Sequence, residues 1–151
     1  MAPAHHEWLE IYARAQYRVR LPRGGHAVIR IHHALPASLR ACLAEGHTPW
    51  AFITAWNPAS RPLSPVVNRS RQRQLLTQLH RLRPLPRITA GVGTGSADDG
   101  NPRWREPSLF VAGIELERVD ALMRAFDQNA VVCGTRDTPA ALRWNPDRQG
   151  E

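Results

Sequence analysis

The sequence predicts an α/β fold, with α+β as the alternative, built as one domain over residues 1–151. About five or six strands form a mixed sheet, packed by three to four helices. Three observations carry this expectation. Two short apolar runs, Trp50–Trp56 and Ser108–Ile114, are rich in β-forming residues and lack alternation, as strands covered on both faces do. Amphipathic helical stripes stand between the strand-like runs. No internal repeat and no linker-like segment divides the 151 residues, a length that suits one core.

Taken in order, Trp8, Ile11, Tyr12 and Ala15 share one stripe and predict a helix from Ala4 to Ala15. Residues 17–21 and 27–31 alternate apolar and charged side chains around Pro22-Arg23-Gly24-Gly25, which predicts a hairpin at a sheet edge. Pro36 opens a short helix that Gly46 ends. The central strand Trp50–Trp56 then runs into Asn57-Pro58, at the kind of strand end where open sheets place their sites. Asn68 or Ser70 caps a helix to Leu82, with Leu75, Leu76, Leu79 and Leu82 inward and Arg71, Arg73 and Arg81 outward. Residues 87–92 read as a strand, and 93–105 as a loop rich in Gly, Ser and Asp. Strand 108–114, helix 115–128, strand 130–134 and edge strand 141–144 follow, with a tail frayed from Asn145.

Composition narrows the function classes. The net charge is +7, and all 20 basic residues are arginine. The lysine-free bias itself reads as codon usage; the distribution says more. No Asp or Glu lies between Glu45 and Asp98, whereas seven arginines do, and the other 13 arginines balance the 13 acids. Such a segment attracts anions over a Debye length of about 8–10 Å. The expected partners are therefore an anionic small molecule or nucleic acid, with an acidic protein as a third class. No apolar run approaches a membrane span, and residues 1–7 lack a signal-peptide core, so the expected location is cytoplasmic, with no membrane partner. Cys42 and Cys133 read as reduced core thiols. No metal is expected, because none of the seven histidines has ligand spacing. The cofactor is unknown.

The candidate site gathers polar residues at strand and helix ends: Thr54, Asn57, Ser60, Asn68, Glu106, Ser108 and Gln128, with Asn129 beside them. If strands 50–56 and 108–114 are neighbours, these converge on one cleft. There Trp56 or Trp104 stacks on the ligand, and Arg69 or Arg71 meets its charge. The bland alternative makes Asn57 and Ser60 turn residues and Asn68 a helix cap. Glu106, next to Trp104, is the candidate acid or base if chemistry occurs; an ion pair with Arg103 or Arg105 is its competing role. Gly91-Val92-Gly93-Thr94-Gly95 lacks the helix that a dinucleotide loop needs. No nucleophile elbow occurs.

One resemblance spans roughly residues 10–135. Phe52-Ile53-Thr54-Ala55-Trp56-Asn57-Pro58 with Ser60, Asn68, Gly91, Trp104 with Glu106 and Ser108, and Phe126-Asp127-Gln128-Asn129-Ala130 come in an order similar to the bacterial domain of unknown function 3293 family. The resemblance implies a compact bacterial domain and no particular reaction.

Overall fold

The computed structural model describes residues 5–44, 46, 48–95 and 104–148. In chain order these form α1 (His5–Arg14), β1 (Gln16–Arg20), β2 (His26–Ile29), α2 (Ala37–Arg40), β3 (Pro49–Ile53), α3 (Pro65–His80), β4 (Arg87–Gly95), β5 (Trp104–Ala112), α4 (Leu116–Ala125), β6 (Ala130–Thr135) and β7 (Ala141–Trp144). Two 3-10 turns, Pro58–Ser60 and Pro146–Arg148, complete the set.

The strands form one curled seven-stranded sheet in the order β2-β1-β4-β5-β3-β6-β7. Every pairing is antiparallel, where a mixed sheet of five or six strands was expected. The reason lies in the crossovers. β3 reaches β4 through α3, and β5 reaches β6 through α4, so each helical connection links strands that run the same way. Each connection also skips one strand, and the skipped strand runs the other way. The middle of the chain is thus a split βαββαβ unit. The hairpin β1–β2 extends it at β4, and β7 extends it at β6.

Two crossovers of one hand place both helices on one face. There Leu75 and Leu79 of α3 and Val119, Leu122 and Met123 of α4 pack on Ala51, Ile53, Val111, Val131 and Cys133. The alternate residues of the strands, Trp50, Phe52 and Phe110 with Tyr17, Val19 and Val132, make a second cluster on the other face, where Leu39 and Leu43 join them. β3 is therefore buried on both faces, as its unbroken apolar run required. Trp50 donates its indole N–H to Thr135 O at 3.0 Å, so its one polar atom is satisfied there.

Several boundaries differ from expectation. α3 begins at Pro65, capped by Ser64, whose Oγ accepts from Val67 N; proline fits the first turn because its missing N–H is not needed there. Asn68 is consequently not a cap but a buried residue one turn inside the helix, 1% exposed. β4 and β5 pair through Gly95 and Trp104, so the glycines expected in a loop belong to the ladder. The remainder of that loop, 96–103, lies outside the described residues. The tail expected to fray from Asn145 folds back as far as Arg148. Asn145 is buried and donates Nδ2 to Gln128 O at 3.0 Å, and Arg148 donates to the same carbonyl at 2.7 Å. Cys133 is buried and Cys42 half-buried, both as free thiols.

Candidate functional site

β3 ends at Ile53, and the next residues are held by side chains rather than by the ladder. Thr54 Oγ1 donates to Pro107 O at 2.7 Å and accepts from Trp56 N. Gln72 and Arg71 of α3 clasp Ala55, Gln72 Oε1 accepting from its N–H at 2.9 Å and Arg71 Nε donating to its carbonyl at 3.0 Å. Arg71 also donates to Phe126 O, and its guanidinium lies 5.9 Å from the Phe126 ring centroid. Asn57 then turns the chain in the left-handed region at φ 46°, a conformation Asn tolerates better than most residues. Asn68 locks it there. Its Oδ1 accepts from Asn57 N at 2.8 Å, and its Nδ2 donates to Asn57 Oδ1 at 2.7 Å and to Leu63 O at 3.1 Å. Ala59 and Ser60 also have positive φ, and Ser60 Oγ accepts from Asn129 Nδ2 at 3.1 Å.

On the face away from α3 and α4, beside this junction, lies a recess open to solvent. The strand register explains it. Gly91 stands opposite Ser108, and one step beyond the Ile53–Leu109 pair Thr54 comes opposite Ser108, with Ala130 next across the sheet. This cross-strand row is made of small side chains. The row on one side holds Phe52, Val132 and Leu142; the row on the other holds Tyr17, Gly93 and Glu106. Large residues on either side of small ones leave a hollow. Trp104, Gln128 and, from α1, Tyr12 complete its wall. The Trp104 indole lies over Gly93 and Gly95: a β-carbon at Gly93 would come 3.2 Å from the ring, and one at Gly95 would fall on it. Another hollow, at Leu39, Cys42 and Leu43, is mainly apolar and gathers no comparable polar set.

Glu106 sets the electrostatics. Burial pushes its carboxyl up to about 7, and the neighbouring Asn57 carboxamide offsets this only in part. No cation among the described residues pairs with it. The ion pair expected with Arg105 does not form. Both residues sit inside β5, where successive side chains point to opposite faces, and Arg105 is exposed. Arg103 lies outside the described residues. Burial also raises the phenols, Tyr12 to about 12 and Tyr17 higher still. Tyr17 donates its hydroxyl to Tyr12 O at 3.0 Å, and Ser60 and Asn129 hydrogen-bond the Tyr12 hydroxyl at the rim.

Of the residues expected from the sequence, Thr54, Trp104, Glu106, Ser108 and Gln128 line the recess. Asn57 touches it through Glu106, and Ser60 with Asn129 through Tyr12. Trp56 contributes its backbone, whose carbonyl accepts from Gln128 Nε2. Asn68 stands behind Asn57. Arg69 is exposed on α3, and Arg71 is engaged by two backbone carbonyls; neither lines this recess. The sequence marks Tyr12 only as part of a helix stripe, and Tyr17 and Phe52 only as strand residues. The signal that places them is register: Tyr17 alternates onto the same face as Val19, and Phe52 onto the same face as Thr54. No group of three metal-ligating side chains occurs among the described residues.

The family model described as Protein of unknown function (DUF3293) matches residues 53–131, which runs from the end of β3 into β6 and takes in most of the split βαββαβ unit. No curated protein and no solved structure matches the chain.

Proposed function

We propose, from the premise that the chain belongs to this family of unknown function, that it binds a small polar ligand in the recess between Trp104 and Gln128. One observation carries this: eight polar or aromatic residues, drawn from α1, β1, the end of β3, β5 and the turn after α4, line a single hollow on the sheet face opposite α3 and α4. Its lining is mainly apolar and aromatic with a few convergent polar groups, as small-molecule sites require. Glu106, held near neutrality and partly shielded from water, suits proton exchange with a ligand should turnover occur.

The test is a fragment screen followed by amide chemical shifts, run on the wild type and on Ala130→Leu. Ala130 lies on the small-residue row, so a leucine there fills the hollow. Fragments should perturb residues of β5 and β6 in the wild type and lose at least tenfold in affinity in the variant. Binding indifferent to Ala130→Leu would overturn the assignment.

A second function has its own support. Arg69, Arg73 and Arg81 are exposed on or just beyond α3 and meet no acid among the described residues, which suits phosphate contact by nucleic acid. Nucleic-acid affinity should then fall linearly with log salt and vanish when the three arginines are replaced by alanine.

A further inference from the structure

We infer that the recess takes an organic cation, an amine, amidine or guanidine with a compact or flat body, held between the Glu106 carboxylate and the aromatic walls. This rests on the binding function proposed above and names the class of ligand.

The inventory of hydrogen-bonding groups decides the class. The hydroxyl and carboxamide donors in and around the recess are already engaged. Thr54 donates to Pro107 O, Ser108 Oγ donates to Glu106 O at 3.0 Å, and Tyr17 donates to Tyr12 O. Gln128 Nε2 donates to Trp56 O and Phe126 O. Apart from the Trp104 indole N–H, what remains is acceptors. Gln128 Oε1 meets no donor among the described residues, and the two Glu106 oxygens have the Asn57 carboxamide alone beside them. A lining rich in acceptors and poor in donors selects a ligand that is rich in donors.

The walls point the same way. Tyr12, Tyr17, Phe52 and Trp104 bring four aromatic rings to one hollow. Ring faces attract cations, most strongly where water is excluded. Tyr17 and Phe52 meet edge to face, with centroids 5.4 Å apart, so the two rings stand at an angle and form a corner rather than a flat stack. An anion would face Glu106 with no arginine to balance it.

The chain's +7 charge does not oppose this. Arg69, Arg73 and Arg81 belong to the helix side of the sheet, and the recess opens on the other. Charges separated by more than about 8–10 Å are screened at physiological salt. Arg148, which acts on Tyr12 at the rim, is engaged by Asp127 and by Gln128 O.

The experiment uses a matched pair of probes, benzamidinium and its neutral isostere benzamide, titrated into the full chain by amide chemical shifts. Benzamidinium should bind at least tenfold more tightly, and Glu106→Gln should remove that preference while leaving benzamide unchanged. The titratable groups facing Glu106 are Tyr12 from α1 and Tyr17 from β1, and both stay protonated well above neutral pH. Glu106 therefore controls the pH dependence. Wild-type affinity for benzamidinium should rise about tenfold from pH 6 to pH 8, a readout that stands even if Glu106→Gln fails to fold. Equal affinity for the two probes, with both lost in Ala130→Leu, overturns the cation and leaves the binding recess intact. Binding of benzamidinium that survives Glu106→Gln, or shows no rise with pH, also overturns it. No shift in the recess with either probe overturns the binding function itself.

Discussion

The Asn57–Asn68 junction and the Glu106 recess are adjacent, and both are built from polar residues at the ends of strands, yet they differ in how their polar atoms are answered. At the junction each amide finds its partner within the protein. Asn68 alone makes three hydrogen bonds, to the Asn57 backbone, the Asn57 side chain and Leu63. In the recess a half-buried carboxyl has no cation and an amide oxygen has no donor among the described residues. Polar burial that closes on itself fixes a backbone. Polar burial left open costs stability, and it is the kind of cost that folds carry where they bind something. Asn57 belongs to both: its Oδ1 is used by the junction, and its amide lies beside Glu106.

If this contrast is right, substitutions in the two places should move stability in opposite directions. The largest effect belongs to Asn68→Ala. It strands the Asn57 amide and the Leu63 carbonyl and should cost about 3 kcal/mol, read as a fall in Tm of roughly 6–12 °C. A loss under ~0.5 kcal/mol would mean that the junction is not scaffold. Glu106→Gln should do the reverse. Between about 4.5 and 7 the folded chain keeps a proton on Glu106 that the unfolded chain has released, so the wild type loses stability as pH rises through that window. The variant, which has nothing to ionise, should be more stable than the wild type by about 2–3 kcal/mol at pH 8 and equal to it at pH 4. Denaturant unfolding of both proteins at the two pH values checks the sign, and a variant less stable at pH 8 would place Glu106 in the scaffold. Arg71→Lys is the smallest test. An ammonium cannot reach the carbonyls of Ala55 and Phe126 with the fork of a guanidinium, so about 1–2 kcal/mol should be lost. An unchanged Tm would return Arg71 to the list of residues free to meet a ligand.

Much of this was legible in the sequence. Unbroken apolar runs gave β3 its central place, and the neighbouring of β3 and β5 brought Thr54, Glu106, Ser108 and Gln128 together as expected. What the sequence hid has physical causes. Helical periodicity sorts side chains by the direction of their first bonds, so it put Arg71 on the outer face. A side chain of that length can still bend back to a buried carbonyl. Strand propensity counts glycine against a strand, so the expected strand stops at Val92, and the ladder face that β4 shares with Trp104 and Glu106 goes unseen. Asn68 reads as a cap because asparagine is among the residues favoured at that position. Its partner, Asn57, adopts a backbone that no local pattern announces.

The glycines of β4 have one more consequence. On the recess face of that strand, Gly91 and Gly93 leave no side chain of their own, and rings from β3 and β5 occupy the space. A β-carbon at Gly91 would come 2.8 Å from the Phe52 ring. The strand is thus upholstered by its neighbours, and the contour of the hollow is inscribed in residues far from it in the chain. Alternating glycines that look, in a linear text, like a loop for gripping phosphate serve here as a seat for aromatic rings. What distinguishes the two is the presence, at ladder distance on the adjoining strand, of a tryptophan to sit in it.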